Sequence, residues 1–359
     1  MDKNLQVSIS PHLKQNISVQ KVMWLVVLAL LPAFIHTIIL FGIRTIWVTL
    51  TAIITAIISE ALMQLLFNKK ITITDGSAVV TGMLLTFNVP PTIALWKVAL
   101  ASAFGIIIAK QLFGGLGYNI FNPALVGRAF LVASYPVAIT SGWVKPTGGF
   151  LSISQRAAES IKTAGNQTAA KLVDTVSSAT PLTALKEVRK AASNPEIHDT
   201  AVNLWDKLYS FDFVENAFLG KIGGCLGETT AITILIGGLF LMILKIIDWR
   251  IPLAYIGTLG VLTWIFGGHN GLFTGNPFFH IFTGGLMLGA FFMATDMVTS
   301  PLTKSGRWIF AISLGLLTFI IRMWGGYPEG VSYSILIMNI FVPLIDRYTV
   351  PKAFGGGQE

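Results

Sequence analysis

Cysteine is almost absent from this 359-residue chain. Cys225 stands alone, which excludes an internal disulfide and an iron–sulfur cluster held by this chain by itself. Charge is scarce as well: 12% of residues are charged, against roughly 25% in soluble domains. The five histidines, His12, His36, His198, His269 and His280, are scattered without metal-ligand spacing, so no metal site is read from them. There is no Walker loop, no GxGxxG opening a helix after a strand and no HExxH, which removes the usual footholds for nucleotide hydrolysis and zinc-dependent proteolysis. Redox chemistry in such a chain has to come from a bound cofactor. The formal charge of +8 forms no basic stripe interleaved with aromatics, which argues against nucleic acid as a partner.

What the chain does have is apolar surface. Hydrophobic residues make up 53% and mean hydropathy is +0.70, more than soluble domains of this length hide from water. Ten apolar segments have cores near 23–41, 46–67, 76–89, 94–112, 123–140, 229–246, 252–266, 277–295, 308–324 and 331–346. A crossing takes about 20 residues, so the reading is an all-α integral membrane protein with about ten transmembrane helices. The third and seventh segments are short and rich in Gly, Thr or Pro; they are expected to be tilted, broken or re-entrant, which needs protein around the freed backbone. The first run is too long for a signal-peptide core and reads as a retained helix. Cys225 reads as a small packing residue near a helix start, with a share in a cluster formed with another subunit left open.

Lysine and arginine give the orientation. With the N-terminus in the cytoplasm, the inner segments carry Lys3, Lys14, Lys21, Lys69, Lys70, Lys110, Lys245, Arg250, Lys304, Arg307, Arg347 and Lys352, and the short outer connections carry Arg44, Lys97 and Arg322. That bias predicts N-in and C-in. The polar stretch 141–221 then lies outside the cytoplasm. The expected organisation is a cytoplasmic tail at 1–22, a five-helix bundle at 23–140, an extracytoplasmic loop at 141–221, a second five-helix bundle at 222–346 and a cytoplasmic tail at 347–359. Within the loop, 182–192 predicts a short amphipathic helix. Trp205, Leu208, Tyr209, Phe211, Phe213 and Phe218 suit a segment at the membrane interface or against a partner.

The two halves look related. Phe113-Gly114-Gly115 precedes the fifth segment and Trp324-Gly325-Gly326 the tenth, with Lys110 and Arg322 just upstream; Thr81-Gly82 and Thr283-Gly284 occupy matching apolar runs. Five spans per half give the copies opposite topology, so the expectation is two inverted five-helix repeats, an arrangement common in transporters.

Asp174-Thr175-Val176-Ser177-Ser178-Ala179-Thr180-Pro181-Leu182 lies in the loop. On its own, Ser-Ser-Ala-Thr-Pro reads as a turn or helix cap whose hydroxyls satisfy free backbone groups. Other motifs add to it: Ser10-Pro11-His12, Asp75-Gly76-Ser77-Ala78, Gly117-Tyr118-Asn119-Ile120-Phe121-Asn122-Pro123-Ala124, Gly227-Glu228-Thr229, Ala294-Thr295-Asp296-Met297-Val298-Thr299-Ser300-Pro301 and Pro343-Leu344-Ile345-Asp346. Together, and in this order, they resemble the family formed by the RnfD-type membrane subunits of the Rnf ion-translocating ferredoxin–NAD oxidoreductase complex and the related membrane subunits of the sodium-pumping quinone reductase. The short N-terminal tail resembles the Rnf side. Ser178 stands where the quinone-type sequence often has Gly.

The resemblance implies FMN joined to the Thr180 hydroxyl by a phosphoester, made by a separate flavin transferase outside the cytoplasm; the small residues before Thr180 are expected to leave that hydroxyl accessible. It also implies a non-covalent riboflavin, for which Asn119 and Asn122 are candidate contacts through their amides; their other reading is as caps of the fifth helix beside Pro123. The implied partners are other membrane and peripheral subunits, including a second FMN-bearing subunit, in a bacterial inner membrane. The implied activity is electron relay coupled to Na+ or H+ movement, with no complete catalysis by this chain alone.

Intramembrane acids are functional candidates in their own right. Glu60 lies deep in the second segment with no basic residue near it in sequence, and Asp296 and Asp346 lie near inner ends. Asp346 also reads as an ion pair with Arg347, and Asp75 and Glu228 as caps of adjoining helices. The rival function is a urea-type transporter or channel without redox chemistry, since fold alone does not fix function. A purely structural membrane anchor for other subunits is a third reading.

Overall fold

In lipid a backbone can satisfy its N–H and C=O groups only within its own helix or a closed barrel, and these apolar runs fold as helices. The computed structural model describes residues 18–140, 143, 146, 180–194, 198–228, 231–269, 271–327 and 329–350. The first half holds α1 (Val19–Phe41), α2 (Arg44–Leu66), a short turn at Ile73–Asp75, α3 (Ser77–Phe87), α4 (Leu95–Phe104) running into a π turn at Gly105–Gln111, α5 (Pro123–Ser134) and α6 (Pro136–Thr140). The loop contributes α7 (Pro181–Ala191), α8 (His198–Leu208) and α9 (Phe211–Leu219). The second half holds α10 (Ala231–Ile243), α11 (Arg250–Phe266), α12 (Pro277–Phe282), α13 (Leu286–Leu288) running into a π turn at Gly289–Met293, α14 (Lys304–Trp324) and α15 (Val331–Thr349). No strand occurs among the described residues.

Helix starts follow one local pattern. Asn122, Thr180 and Asn276 each cap a helix through the side chain, and Pro123, Pro181 and Pro277 stand directly after them. Proline fits the first helical position because its missing N–H would be unpaired there anyway. Among the described residues three helices, α1, α2 and α14, are long and apolar enough to cross a membrane; α3, α5, α10 and α11 are shorter apolar helices.

The break expected in the seventh segment falls in the eighth. α11 is an unbroken helix of 17 residues. Pro252 lies in its first turn, where the N–H groups lack intrahelical partners, so it does not interrupt the helix. The eighth segment instead opens at Thr283–Gly285, where Gly284 and Gly285 take φ of +72° and +67°, a left-handed backbone that favours glycine.

One apolar core runs through both halves, joining Leu30, Phe41, Leu85 and Leu125 to Leu226, Tyr255, Leu288 and Phe310. The helices approach closely where residues are small: a Cβ on Gly237 of α10 would strike the Ala29 carbonyl of α1, the close contact that small residues permit in membrane bundles. A second cluster docks the loop. Leu182, Leu185 and Val188 of α7 pack with Trp205 and Leu208 of α8 and with Phe279 of α12. Much of the loop's aromatic group is therefore spent inside the chain, while Phe211 stays 79% exposed.

Two of the charges used to orient the chain are interior. Lys110 and Arg322 are buried, so they report internal pairing and not membrane side. One is removed from each side, and the bias of the remaining bases is unchanged.

Candidate functional site

Glu60 faces inward from α2 and meets a base from another helix. Lys110 Nζ lies 2.6 Å from Glu60 Oε1, with both side chains sealed from solvent. Lys110 also donates to Ser77 Oγ at 2.6 Å, and the Ser77 hydroxyl donates to Asp75 Oδ1 at 2.6 Å. Gln111 Nε2 donates to Glu60 Oε1 at 3.0 Å and Gln64 Nε2 does so at 3.3 Å. One carboxylate oxygen thus takes three donors. Glu60 Oε2 and Gln111 Oε1, both buried, take none. Both Lys110 and Gln111 belong to the π turn, a feature frequent at functional sites.

Lys110 also lines a partly open cleft between the halves. Its wall includes Asn119, Asn122, Asp296, Leu84 and Phe291. Asn122 caps α5, its Oδ1 accepting from Ala124 N at 3.0 Å and Leu125 N at 3.4 Å. Asn119 Nδ2 donates to the Phe121 carbonyl at 3.2 Å, and its buried Oδ1 has no partner. Asp296 accepts from the Thr299 hydroxyl at 3.2 Å and Val298 N at 3.4 Å. Asn119, Asn122 and Asp296 therefore meet in one cleft, with Glu60 behind Lys110. Asp346 is not part of it; its carboxylate is held by Leu302 N at 3.0 Å, where the sequence had suggested Arg347.

Thr180 lines a different cleft. Its Oγ1 caps α7, accepting from Thr183 N at 3.3 Å and sharing a 2.8 Å hydrogen bond with the Thr183 hydroxyl. The side chain is buried, facing a partly open cleft with Arg128, Glu329, Tyr327, Tyr333 and Trp143 on its wall. The hydroxyl is therefore turned into the protein as a cap, and does not stand out on an arm as the small residues before it suggested. Asp174 to Ala179 and Ser10 to His12 lie outside the described residues. Tyr327 and Tyr333 pack with ring centroids 4.7 Å apart and the rings tilted by 31°.

Behind this cleft is a charged network. Arg128 pairs with Glu329 and donates to Asn88 Oδ1 at 2.9 Å. Cys225 Sγ lies 3.6 Å from the Asn88 carbonyl and 3.9 Å from Glu329 Oε1. Glu228 accepts from Gly284 N, and from Cys225 N at 3.3 Å. It caps the break between α12 and α13. Arg322 fastens the same break through the carbonyls of His280 (2.6 Å) and Thr283 (3.1 Å), and reaches the Glu329 carbonyl at 2.9 Å. Ligand atoms of Cys225, Glu228 and Glu329 lie within 4.8 Å of one another, but the Arg128 guanidinium and two backbone N–H groups already occupy the carboxylates, so the cluster reads as an ion-pair network.

Sequence reasoning missed Arg128, Gln111 and Glu329. Arg128 carried a signal: an arginine inside the fifth apolar run is costly in a membrane unless paired. Gln111 and Glu329 had none, because their roles come from distant partners.

These features define an all-helical membrane protein with a charged interior and polar clefts at the junction of its two halves. The chain belongs to the NQR2, RnfD, RnfE family, whose model matches residues 6–355. It is 47% identical to the D subunit of the proton-translocating ferredoxin:NAD(+) oxidoreductase complex of Clostridium ljungdahlii, over 97% of this chain and 96% of that protein. It is 41% identical to the D subunit of the Na(+)-translocating complex of Acetobacterium woodii, over 98% and 96%. It is 40% identical to the D subunit of the ion-translocating oxidoreductase complex of Stutzerimonas stutzeri, over 94% and 92%.

Proposed function

We propose that this chain is the membrane subunit of an ion-translocating ferredoxin:NAD+ oxidoreductase complex, relaying electrons through FMN esterified to Thr180 and coupling the relay to Na+ or H+ movement. The family and the names of its relatives support the coarse reading. The observation that carries the finer one is the position of Thr180, whose hydroxyl caps α7 on the wall of a cleft that also holds Arg128 and the tyrosine pair. A phosphoester on that oxygen puts its phosphate at a helix N-terminus, where free N–H groups and the helix dipole favour an anion. Bound there, the flavin supplies one- and two-electron transfer; the protein supplies attachment, an aromatic wall and a fixed cation.

Residues that fit a second, non-covalent flavin lie in the other cleft. Asn119 has a buried amide oxygen without a partner, a ready acceptor for a ring N–H. Asn122 spends its oxygen on the α5 cap and contributes less. The ion path is assigned to Glu60, with its free Oε2, and to Asp296 on the wall of the cleft that Lys110 lines, with Asp346 at the far end of α15. The partners are the other membrane and peripheral subunits, among them a second FMN-bearing subunit, and a flavin transferase for maturation.

The architecture we assign is ten membrane helices in two inverted repeats in a bacterial inner membrane, N-in and C-in, with 141–221 as an extracytoplasmic flavin-bearing loop between the bundles at 23–140 and 222–346. Its support is a matched pattern of packing. Within the first half α3 and α4 pack on α2 and α4 on α5; within the second α12 and α14 pack on α11 and α14 on α15. Between halves α1 meets α10 and α5 meets α15, first with first and fifth with fifth, as a two-fold relation requires.

The experiment is direct. The chain is expressed with the flavin transferase, denatured and run on a gel, and flavin fluorescence is read from the band. A fluorescent wild-type band and a dark Thr180→Val band are expected. A dark wild-type band would sink the flavin reading and favour a urea-type transporter or a structural anchor; a fluorescent Thr180→Val band would move the anchor elsewhere.

A further inference from the structure

Arg128 and Glu329 stand on the wall of the cleft that Thr180 lines. Arg128 is held at both ends of its fork, by Asn88 Oδ1 and by the Glu329 carboxylate. Glu329 is held in turn through its carbonyl, which accepts from Arg322 Nε at 2.9 Å. The guanidinium stays charged under all ordinary conditions, and its side chain is 9% exposed. A fixed charge screened so little by water acts on its surroundings over several ångströms.

We infer that the Arg128–Glu329 pair sets the reduction potential of the flavin on Thr180, Arg128 raising it and Glu329 lowering it. This rests on the Thr180 reading above and assigns the pair a task beyond it. An electron that arrives without a proton adds negative charge to whatever occupies the cleft. A fixed cation on the wall stabilises that charge and a fixed carboxylate opposes it. The partnership with Glu329 keeps Arg128 from stabilising the reduced form without limit, which suits a carrier that has to pass its electrons on. A plain structural role is the competing account: Arg128 joins α5 to the end of α3 and to the chain entering α15, and such a strut weakens the fold in the same way whichever partner is removed. The two accounts differ in sign. An electrostatic role makes the two removals act in opposite directions on the potential, whereas a strut does not.

The test uses the whole complex, matured with its flavin transferase, as wild type, R128Q, R128K, E329Q and Thr180→Val. In-gel fluorescence of the chain confirms that the flavin is attached. A redox titration followed by flavin absorbance then gives the potential of the Thr180 flavin as the component missing from the Thr180→Val complex. R128Q is expected to shift it to more negative values, E329Q to more positive values, and R128K to stay near wild type; each tenfold change in preference for the reduced form equals about 59 mV for one electron. If R128Q fails to assemble, the positive shift of E329Q and the silence of R128K carry the test. Fluorescent bands with unmoved potentials, or with both substitutions shifting the same way, would overturn this inference and leave the anchor intact. A dark wild-type band would overturn the anchor, and this inference with it.

Discussion

Lys110 Nζ meets Glu60 Oε1 at 2.6 Å across two helices, and no other carboxylate contact to Lys110 occurs among the described residues. Removing one partner of a buried pair strands the other charge and costs about 3–5 kcal/mol. Glu60→Gln and Lys110→Met are each expected to destabilise the protein by that order in detergent unfolding. The double variant is expected to lose clearly less than the sum. Additive losses would show that the two side chains do not depend on each other.

The same carboxylate carries the ion-path assignment. Glu60→Gln complex in proteoliposomes should slow electron-driven ion uptake while the Thr180-linked flavin still appears on the gel. Uptake at the wild-type rate would remove Glu60 from the path.

Gly284 has a left-handed backbone, and a Cβ there would press on Leu182 of α7 and the Arg322 guanidinium. Gly284→Ala is therefore expected to loosen the docking of the loop as well as the break itself, at a cost of about 1–3 kcal/mol. Faster limited proteolysis between α7 and α8, together with a lower melting temperature, is the signature. Unchanged proteolysis would separate the break from the loop.

Asp248 lies in the turn between α10 and α11. Burial pushes its carboxyl upward, but Arg250 N–H and the guanidinium groups of Arg307 and Arg250 outweigh this and hold it below its ordinary value of 3.8. A folded pKa below the unfolded one gives stability that is fully present above the unfolded value and disappears as pH falls through the folded one. Wild type should therefore exceed Asp248→Asn in thermal stability at neutral pH, and the gap should close below about pH 4. A gap that widens toward acid would contradict this sign.

Orientation has its own check. A reporter active only outside the cytoplasm should be active when fused near residue 170 and silent near residue 248. The reverse result would turn the molecule over.

The apolar runs, the helix starts at Asn122-Pro123 and Thr180-Pro181, and the short helix after Thr180 were legible in the chain because periodicity, length and capping are local properties. The break in the eighth segment was not placed. Gly284 and Gly285 mark it, but glycines are common throughout the chain, and only the Arg322 and Glu228 contacts show which pair opens. Thr180 was found through its neighbours in sequence, whereas its burial and its cleft depend on Arg128, Glu329 and Tyr327, which come from other helices.

By itself, the sequence determined that this is a helical membrane protein, where its segments begin, and which acids lie in apolar surroundings. All of these follow from hydropathy and nearest-neighbour chemistry. The tertiary structure alone decided which charge answers which: Lys110 for Glu60, Arg128 for Glu329, Arg322 for the carbonyls of the broken helix. A buried charge needs a partner within hydrogen-bond reach, and in a bundle that partner comes from a different helix, at a separation along the chain that no local pattern encodes.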